Sequence, residues 1–267
     1  MSCDFMTHAI VIMAKEDGKQ SEINMYSSGI IGRMRKILNE KGPGFLIRKS
    51  FVFSWRIIYG FFFLRFRPLR YFTFGNEKYP YFYHTYNFTW DNERSVEIPI
   101  VMKSLAVNKG MKVLEMGNVL SHYFPPGWDV LDKFDKGNGI ISKDIVDFIP
   151  SNKYDLIVSI STLEHVGFDD DVKDPGKIVE TMKNLKQNCL KPGGSMIFTM
   201  PLGYNPFMDK MVFDDKLGFD EISFMKRISK NEWCEMSKNE LGDFSYAAEY
   251  IEASTIVVAK FSAANNL

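Results

Sequence analysis

The stretch that decides the fold is GMKVLEMGNVLSHYFP, residues 110–125. It contains a short apolar run that ends in a carboxylate, Glu115, and then a glycine, Gly117. This is the pattern of a buried strand that turns sharply into a ligand-binding loop. Two later runs, YDLIVSISTLEHV at 154–166 and LKPGGSMIFTMPLG at 190–203, are equally compact and bounded by turn residues. Because the chain between the runs is long enough to form crossovers, we predict parallel strands of an α/β sheet.

Together these motifs resemble class I S-adenosylmethionine-dependent methyltransferases of the type 11-like group. VLEMG stands in the place of the family's first motif, DLIVSISTLEHV in that of the fourth-strand motif, and LKPGG leads into the fifth strand. The resemblance implies a Rossmann-like, mostly parallel seven-stranded sheet with an antiparallel last strand and helices on both faces. It also implies S-adenosylmethionine as the methyl donor. An N-terminal helical and aromatic extension precedes the matching region.

Length and cysteine content limit the organisation of the chain. A chain of 267 residues suits one α/β domain with an extension, so we predict an extension and cap over residues 1–95 and a methyltransferase domain over residues 96–267. We expect a poorly ordered start over residues 1–28. The three cysteines, Cys3, Cys189 and Cys234, show neither disulfide pairing nor metal spacing, which favours a reducing cytoplasm.

The net charge of zero conceals a strongly basic segment. Residues 30–75 contain ten basic side chains against one acid, Glu40. Apolar residues recur at helical spacing over residues 30–41, and we predict that Gly-Pro-Gly at 42–44 ends this helix. The following run, FLIRKSFVFSWRIIYGFFFLRFRPLRYF, alternates aromatic residues with arginine.

Three interpretations of this basic, aromatic segment are open. It can pack its aromatic face on the catalytic domain, lie on an anionic membrane surface, or bind nucleic acid through phosphate contacts and stacking. We expect packing or peripheral attachment at the inner membrane face, and we rank nucleic acid last. The sequence gives no indication of the oligomeric state.

Residues 75–95 are rich in turn residues and tyrosine, and we predict irregular structure there. If the segment covers the cofactor site, six of its side chains are available to ligand or acceptor: Tyr83, His84, Tyr86, Asn87, Thr89 and Trp90. A hydrophobic clasp on the domain surface explains the same composition.

The resemblance assigns the methionine end of the cofactor to the loop after the first sheet strand. Glu115, Gly117 and Asn118 occupy this position, although Val-Leu-Ser at 119–121 replaces the family's further glycines. Gly117 and Asn118 suit a tight turn because both residue types tolerate positive φ. Ser159, at the end of the fourth strand, faces the same edge of the sheet and completes this part of the predicted site.

The acids after the next two strands are the predicted ribose and adenine contacts. By resemblance, Asp132 accepts both ribose hydroxyls, a task suited to a charged acceptor, and Asp135 is the second choice. By the same resemblance, Asp144 and the backbone of Ile145 meet the adenine edge, with Asp147 as the second choice. Capping of a helix explains Asp144 equally well.

Glu164 and His165 follow the fourth strand and are the predicted catalytic pair. His165 can act as a base because an imidazole can take up and release a proton under physiological conditions. The pair could instead hold a divalent cation together with acids at 169–171, or simply cap the next helix. Our assignment places no metal in the site.

The leading functional hypothesis is methyl transfer from S-adenosylmethionine to a small molecule, a sugar or a lipid-linked saccharide. The last two acceptors follow from a further resemblance, carried by YPYFYHTYNFTWDNERS, GNVLSHY, STLEHVG and PLGYNP, to proteins encoded near glycosyltransferases. The alternatives are a non-catalytic binding module with the same fold and an RNA methyltransferase that uses the arginine-rich segment.

Overall fold

The computed structural model describes residues 30–108, 110–230, 232–244, 246 and 252–264. The predicted poorly ordered start and Cys3 lie outside these residues. The chain divides into two compact units: one extends to residue 69 and includes residues 83–89, and the other contains residues 70–82 and those from 90 onward. The domain boundary at residue 95 stays a prediction.

The elements follow one another in the order that the sequence patterns indicate. The helices are α1 Ile30–Phe66, α2 Arg94–Val107, α3 Lys177–Asn184 and α4 Pro206–Phe213. The first strands are β1 Tyr71–Phe74, β2 Glu77–Pro80, β3 Val113–Met116, β4 Asp129–Asp132 and β5 Ile140–Ser142. They are followed by β6 Tyr154–Ile160, β7 Leu190–Pro201, β8 Glu221–Ser229, β9 Glu232–Met236 and β10 Thr255–Ser262.

The main sheet has the strand order β5-β4-β3-β6-β7-β10-β8-β9. Strands β3 to β7 run parallel to one another, whereas β10 is antiparallel to both β7 and β8. The predicted Rossmann-like, mostly parallel sheet with an antiparallel last strand is therefore confirmed. Strand β9 was not predicted; it pairs antiparallel with β8 at the edge of the sheet.

The centre of the sheet is buried on both faces. Residues along β3 and β6 are apolar almost without interruption, and Leu114 and Ile157 on these strands are fully buried. Phe198 on β7 and Val257 on β10 belong to the same core cluster. Continuous burial of this kind is expected where parallel strands are covered on both sides, and it explains why their sequences do not alternate.

The prediction of irregular structure over residues 75–95 was wrong in part. Residues 77–80 form β2, which pairs with β1 in a hairpin whose turn has Gly75 and Asn76 at positive φ. Gly-Asn is a favoured pair for a tight hairpin turn, so the signal was present in the sequence. The Lys-Pro-Gly-Gly segment is included in β7, but pairing with β6 jumps from Leu190 to Ser195 and Gly193 has φ of 71°, so the segment leads into the regularly paired strand as the sequence predicts.

The described part of the first unit is dominated by α1. Gly42 has φ of 76° and breaks the helix where the sequence predicts an end, but helical structure resumes and continues to Phe66. Near its end, the ring of Phe63 packs edge-on against Tyr83 at 5.3 Å, and the guanidinium of Arg67 lies 4.3 Å from the centroid of the same ring. Among the described residues, no helix is both long and apolar enough to cross a bilayer.

Candidate functional site

The sheet order reverses beside β3, which is flanked by β4 on one side and β6 on the other. Ligands of open α/β sheets bind at such a point, outside the carboxyl ends of the strands. Gly117 follows β3 with φ of 86°, and its N–H donates to the carbonyl of Leu131 at 2.9 Å. A Cβ at Gly117 would lie 2.1 Å from Oγ1 of Thr162. Thr162 therefore fills the space beside the glycine where a side chain would lie.

Glu115 holds the loop that follows β3 in its path. Its side chain is buried, and Oε1 accepts hydrogen bonds from the N–H groups of Val119 at 2.8 Å and Leu120 at 2.5 Å. Oε2 accepts from Nε1 of Trp128 at 2.7 Å. Burial raises the pKa of Glu115, whereas these three donors act in the opposite direction. The direct cofactor contact predicted for Glu115 stays a prediction.

Asp132 lies beside this loop and joins it to the end of β4. Oδ2 accepts from the N–H of Asn118 at 3.1 Å, and Oδ1 accepts from the N–H groups of Phe134 and Asp135 at 2.8 Å each. The amide Nδ2 of Asn118 donates to Asp135 at 2.9 Å. A carboxylate has about four acceptor positions, so about one remains for a ligand. The structure thus brings together Asn118, Asp132 and Asp135, and the cofactor contacts predicted for them stay predictions.

Asp144 is held by a cluster of alternating charges. Oδ2 accepts from Nζ of Lys177 at 2.6 Å and of Lys133 at 3.0 Å, and both lysines also pair with Asp170. Burial alone would raise the pKa of Asp144, but the lysines lower it below its usual value. Oδ1 caps the short turn Ile145–Asp147 by accepting from the N–H of Val146 at 3.3 Å. The capping alternative for Asp144 is therefore seen, and its contact with adenine stays a prediction.

Glu164 and His165 lie in the short turn after β6, in the place where the sequence puts them. Nδ1 of His165 is hydrogen-bonded to Asp169, whose Oδ2 also accepts from the hydroxyl of Tyr204 at 2.7 Å. Nε2 of His165 lies 3.6 Å from Oε1 of Glu164. Asp169 thereby orients the ring so that Nε2 is the nitrogen able to accept a proton in the neutral form.

Glu164 is buried with one carboxylate oxygen unsatisfied. Its Oε2 has no hydrogen-bond partner among the described residues, and burial raises its pKa to about 7. Its backbone carbonyl accepts from Nδ2 of Asn205 at 2.8 Å, which fixes the turn. A buried carboxyl with a pKa near neutrality and a spare oxygen is suited to exchanging a proton with a ligand.

Further charged groups from α2 border Glu164. Glu97 is fully buried, forms an ion pair with Arg94, and accepts from the hydroxyl of Ser161 at 2.7 Å. Ser161 has φ of 39°, a strained value for a residue other than glycine, and directly follows β6. Glu93 is also buried, which raises its pKa to about 8. Glu93 and Glu164 can therefore each hold a proton near neutral pH, while Glu97 is neutralised by Arg94.

Sequence reasoning missed the contribution of α2 to this site. Arg94 and Glu97 interrupt a helix face that is otherwise apolar, and charged residues on a buried face were the available signal. The predicted Ser159 is buried at the end of β6, and its hydroxyl lacks a partner within the described chain. The backbone of the predicted Ile145 is engaged, since its carbonyl accepts from Nδ2 of Asn184 at 2.7 Å.

Two further findings concern possible ligand sites. Within the part of the chain that the structure describes, no group of three or more histidine, cysteine or acidic side chains is arranged to hold a metal ion. A cavity of about 300 Å³ lies between α4 and strands β8 and β9, and none of the predicted site residues lines it.

Solved methyltransferases resemble this chain only distantly. The N-methyltransferase NodS from Bradyrhizobium japonicum WM9 is 15% identical over 65% of this chain and 97% of its own, with a TM-score of 0.39. TehB from Haemophilus influenzae is 14% identical over 62% of each chain, with a TM-score of 0.37. The 1,6-didemethyltoxoflavin-N1-methyltransferase from Burkholderia thailandensis is 9% identical over 62% of this chain and 76% of its own, with a TM-score of 0.36. Neither a protein-family model nor a curated protein matches the sequence.

Proposed function

We propose that this protein is an S-adenosylmethionine-dependent methyltransferase that acts on a small molecule, a sugar or a lipid-linked saccharide. The observation that carries the proposal is the convergence of Glu115, Asn118 and Asp132 at the carboxyl edge where the strand order reverses. Such an edge is the usual ligand crevice of a doubly wound sheet. Asp132 retains about one acceptor position, which fits one hydroxyl of the cofactor's ribose rather than the two that the resemblance implies.

The cofactor supplies an electrophilic methyl group when bound, and the protein has to position the acceptor and remove its proton. His165 Nε2 and Glu164 Oε2 are the groups placed to take that proton. Asp169 holds the His165 ring in position, and Tyr204 donates to the same carboxylate. Positioning and proton removal together suffice for an in-line methyl displacement.

Calorimetric titration with S-adenosylhomocysteine tests the cofactor assignment. We expect wild-type protein to bind it and Asp132→Asn to bind at least about tenfold more weakly, because a charged hydrogen bond to ribose is lost. Asp155→Asn is the matched control. Asp155 also accepts a hydrogen bond from a backbone N–H, that of Lys112 at 2.8 Å, but it lies at the amino end of β6, away from the predicted site. Equal losses in the two variants would contradict the assignment to Asp132.

The catalytic assignment is tested separately with Glu164→Gln and His165→Asn. We expect both variants to bind S-adenosylhomocysteine like the wild type but to lose about 100-fold or more in methyl transfer, the usual contribution of a general base. Transfer is followed with radiolabelled S-adenosylmethionine and matched sugar pairs that differ by an amine or a hydroxyl. Unchanged transfer in both variants would remove these residues from the chemistry.

A non-catalytic binding module is the second candidate. It is favoured by Thr162, which fills the space at Gly117, and by the loop after β3, whose N–H groups at Val119 and Leu120 are already bound by Glu115. If the wild-type protein binds neither S-adenosylmethionine nor S-adenosylhomocysteine, only this candidate remains.

A further inference from the structure

The second half of α1 exposes a continuous row of large apolar side chains. The row, which we call the aromatic face, consists of Ile47, Phe51, Trp55, Ile58, Phe62 and Phe66. Their spacing of three and four residues places them on one side of the helix, over about 28 Å at 1.5 Å per residue. Phe51 is 71% exposed and Phe66 is 73% exposed. Exposed apolar surface of this extent normally marks an interaction site.

The opposite side of the same helix has its own packing partners. Gly60 is buried, and Phe63 and Arg67 both contact the ring of Tyr83 within the first unit. The helix therefore already has an inner side, and the aromatic face is a second surface.

The charges around the aromatic face are all positive. No acidic residue occurs between Glu40 and Glu77, while this interval contains seven lysine and arginine residues. Arg48 and Arg65 are exposed and lie at the two ends of the row. Such a surface repels another cationic surface, including that of a second copy of itself, and attracts an anionic one.

We propose that the aromatic face of α1 lies on an anionic lipid bilayer with the helix parallel to the membrane surface. In this orientation Trp55, Phe62 and the other apolar side chains enter the boundary between headgroups and acyl chains. Arg48 and Arg65 then meet the phosphates of the headgroups, at a favourable energy for each cation near the surface. Aliphatic Ile47 and Ile58 in the row favour lipid over nucleic acid, because bases stack on aromatic and guanidinium planes and not on branched aliphatic chains.

Tryptophan fluorescence of the full-length protein with vesicles tests this proposal directly. Of the four tryptophans in the chain, Trp90 and Trp233 are buried and Trp128 is half-buried, whereas Trp55 is 61% exposed. Vesicles that contain 30% phosphatidylglycerol should shift the emission to the blue, and brominated acyl chains should quench it. Vesicles of phosphatidylcholine alone should bind at least about tenfold more weakly. Trp55→Phe should lose the fluorescence change but keep sedimenting with anionic vesicles.

Two sets of variants separate the apolar and the charged contributions. Phe51→Ser with Phe62→Ser should reduce partition into anionic vesicles by about 100-fold or more, since each buried phenylalanine contributes at least about tenfold. Arg48→Gln with Arg65→Gln should reduce it by about 25-fold, about fivefold for each arginine. Phe207→Ser is the matched control, because Phe207 is an exposed phenylalanine on α4, 49% accessible, and should leave partition unchanged.

Three outcomes would overturn the proposal. The first is the absence of sedimentation with anionic vesicles by wild-type protein that is folded by circular dichroism. The second is a concentration-dependent dimer, seen in light scattering and abolished in the Phe51→Ser, Phe62→Ser double variant. This result would assign the aromatic face to contact with a second copy of the chain. The third is salt-sensitive binding to single-stranded RNA that the same double variant abolishes while vesicle binding persists.

Discussion

Replacement of Gly117 by alanine should destabilise the protein far more than the same replacement at Gly110. The two glycines have nearly the same backbone conformation, with φ of 86° and 84°. At Gly110 an added Cβ meets nothing within 4 Å, whereas at Gly117 it falls 2.1 Å from Oγ1 of Thr162. Gly110→Ala should therefore cost only the left-handed conformation, about 1–2 kcal/mol.

Gly117→Ala adds two further costs. The threonine has to move away, which breaks the hydrogen bond from its hydroxyl to the carbonyl of Ile160, now 3.0 Å long. That loss costs about 1 kcal/mol, and crowding in a packed region adds about 1–3 kcal/mol. The total for Gly117→Ala is thus about 3–6 kcal/mol, against about 1–2 kcal/mol for Gly110→Ala.

Urea denaturation of the variants measures the difference in the free energy of unfolding. A double-mutant cycle with Thr162→Ala isolates the close contact, and the combined Gly117→Ala, Thr162→Ala variant should recover at least about 1 kcal/mol relative to additivity. If Gly117→Ala and Gly110→Ala were equally destabilising, within about 0.5 kcal/mol, the close approach of Thr162 to the turn would be refuted.

Three further predictions concern the site and its supports. Glu164→Gln should stabilise the fold by up to about 3 kcal/mol at pH 8. Folding raises the pKa of the Glu164 carboxyl from 4.5 to about 7, so the charged carboxylate destabilises the folded state at higher pH. Thermal melts should show the gain vanish below pH 4.5, where the carboxyl is protonated in both states. Lys177→Met should cost about 1–3 kcal/mol, because Asp144 and Asp170 each lose a cation in a partly buried cluster, and the loss should shrink at 1 M salt. Asn205→Ala should cost about 1–2 kcal/mol in urea by removing the cap of α4, and should lower methyl transfer by releasing the backbone of Glu164.

The sheet strands and the site acids were predictable because they depend on local sequence. The runs that form β3 and β6 are mostly apolar, as burial on both faces requires, and the residues that follow a parallel strand must lie at its carboxyl end. This reasoning put Asp132 at the end of β4, and Glu164 and His165 just after β6. The family resemblance implied seven strands, whereas the main sheet has eight because the edge strand β9 was not predicted.

Contacts between distant parts of the chain were decided by tertiary structure alone. Ser161 donates to Glu97, which lies 64 residues earlier, and Lys177 pairs with Asp144, which lies 33 residues earlier. No local pattern encodes such pairs, because they depend on how helices pack across the sheet. The sequence by itself thus determined which strands form and which acids end them, since both follow from periodicity and burial. Tertiary packing decided which of those acids are neutralised by cations and which, like Glu164, are left with an unsatisfied oxygen.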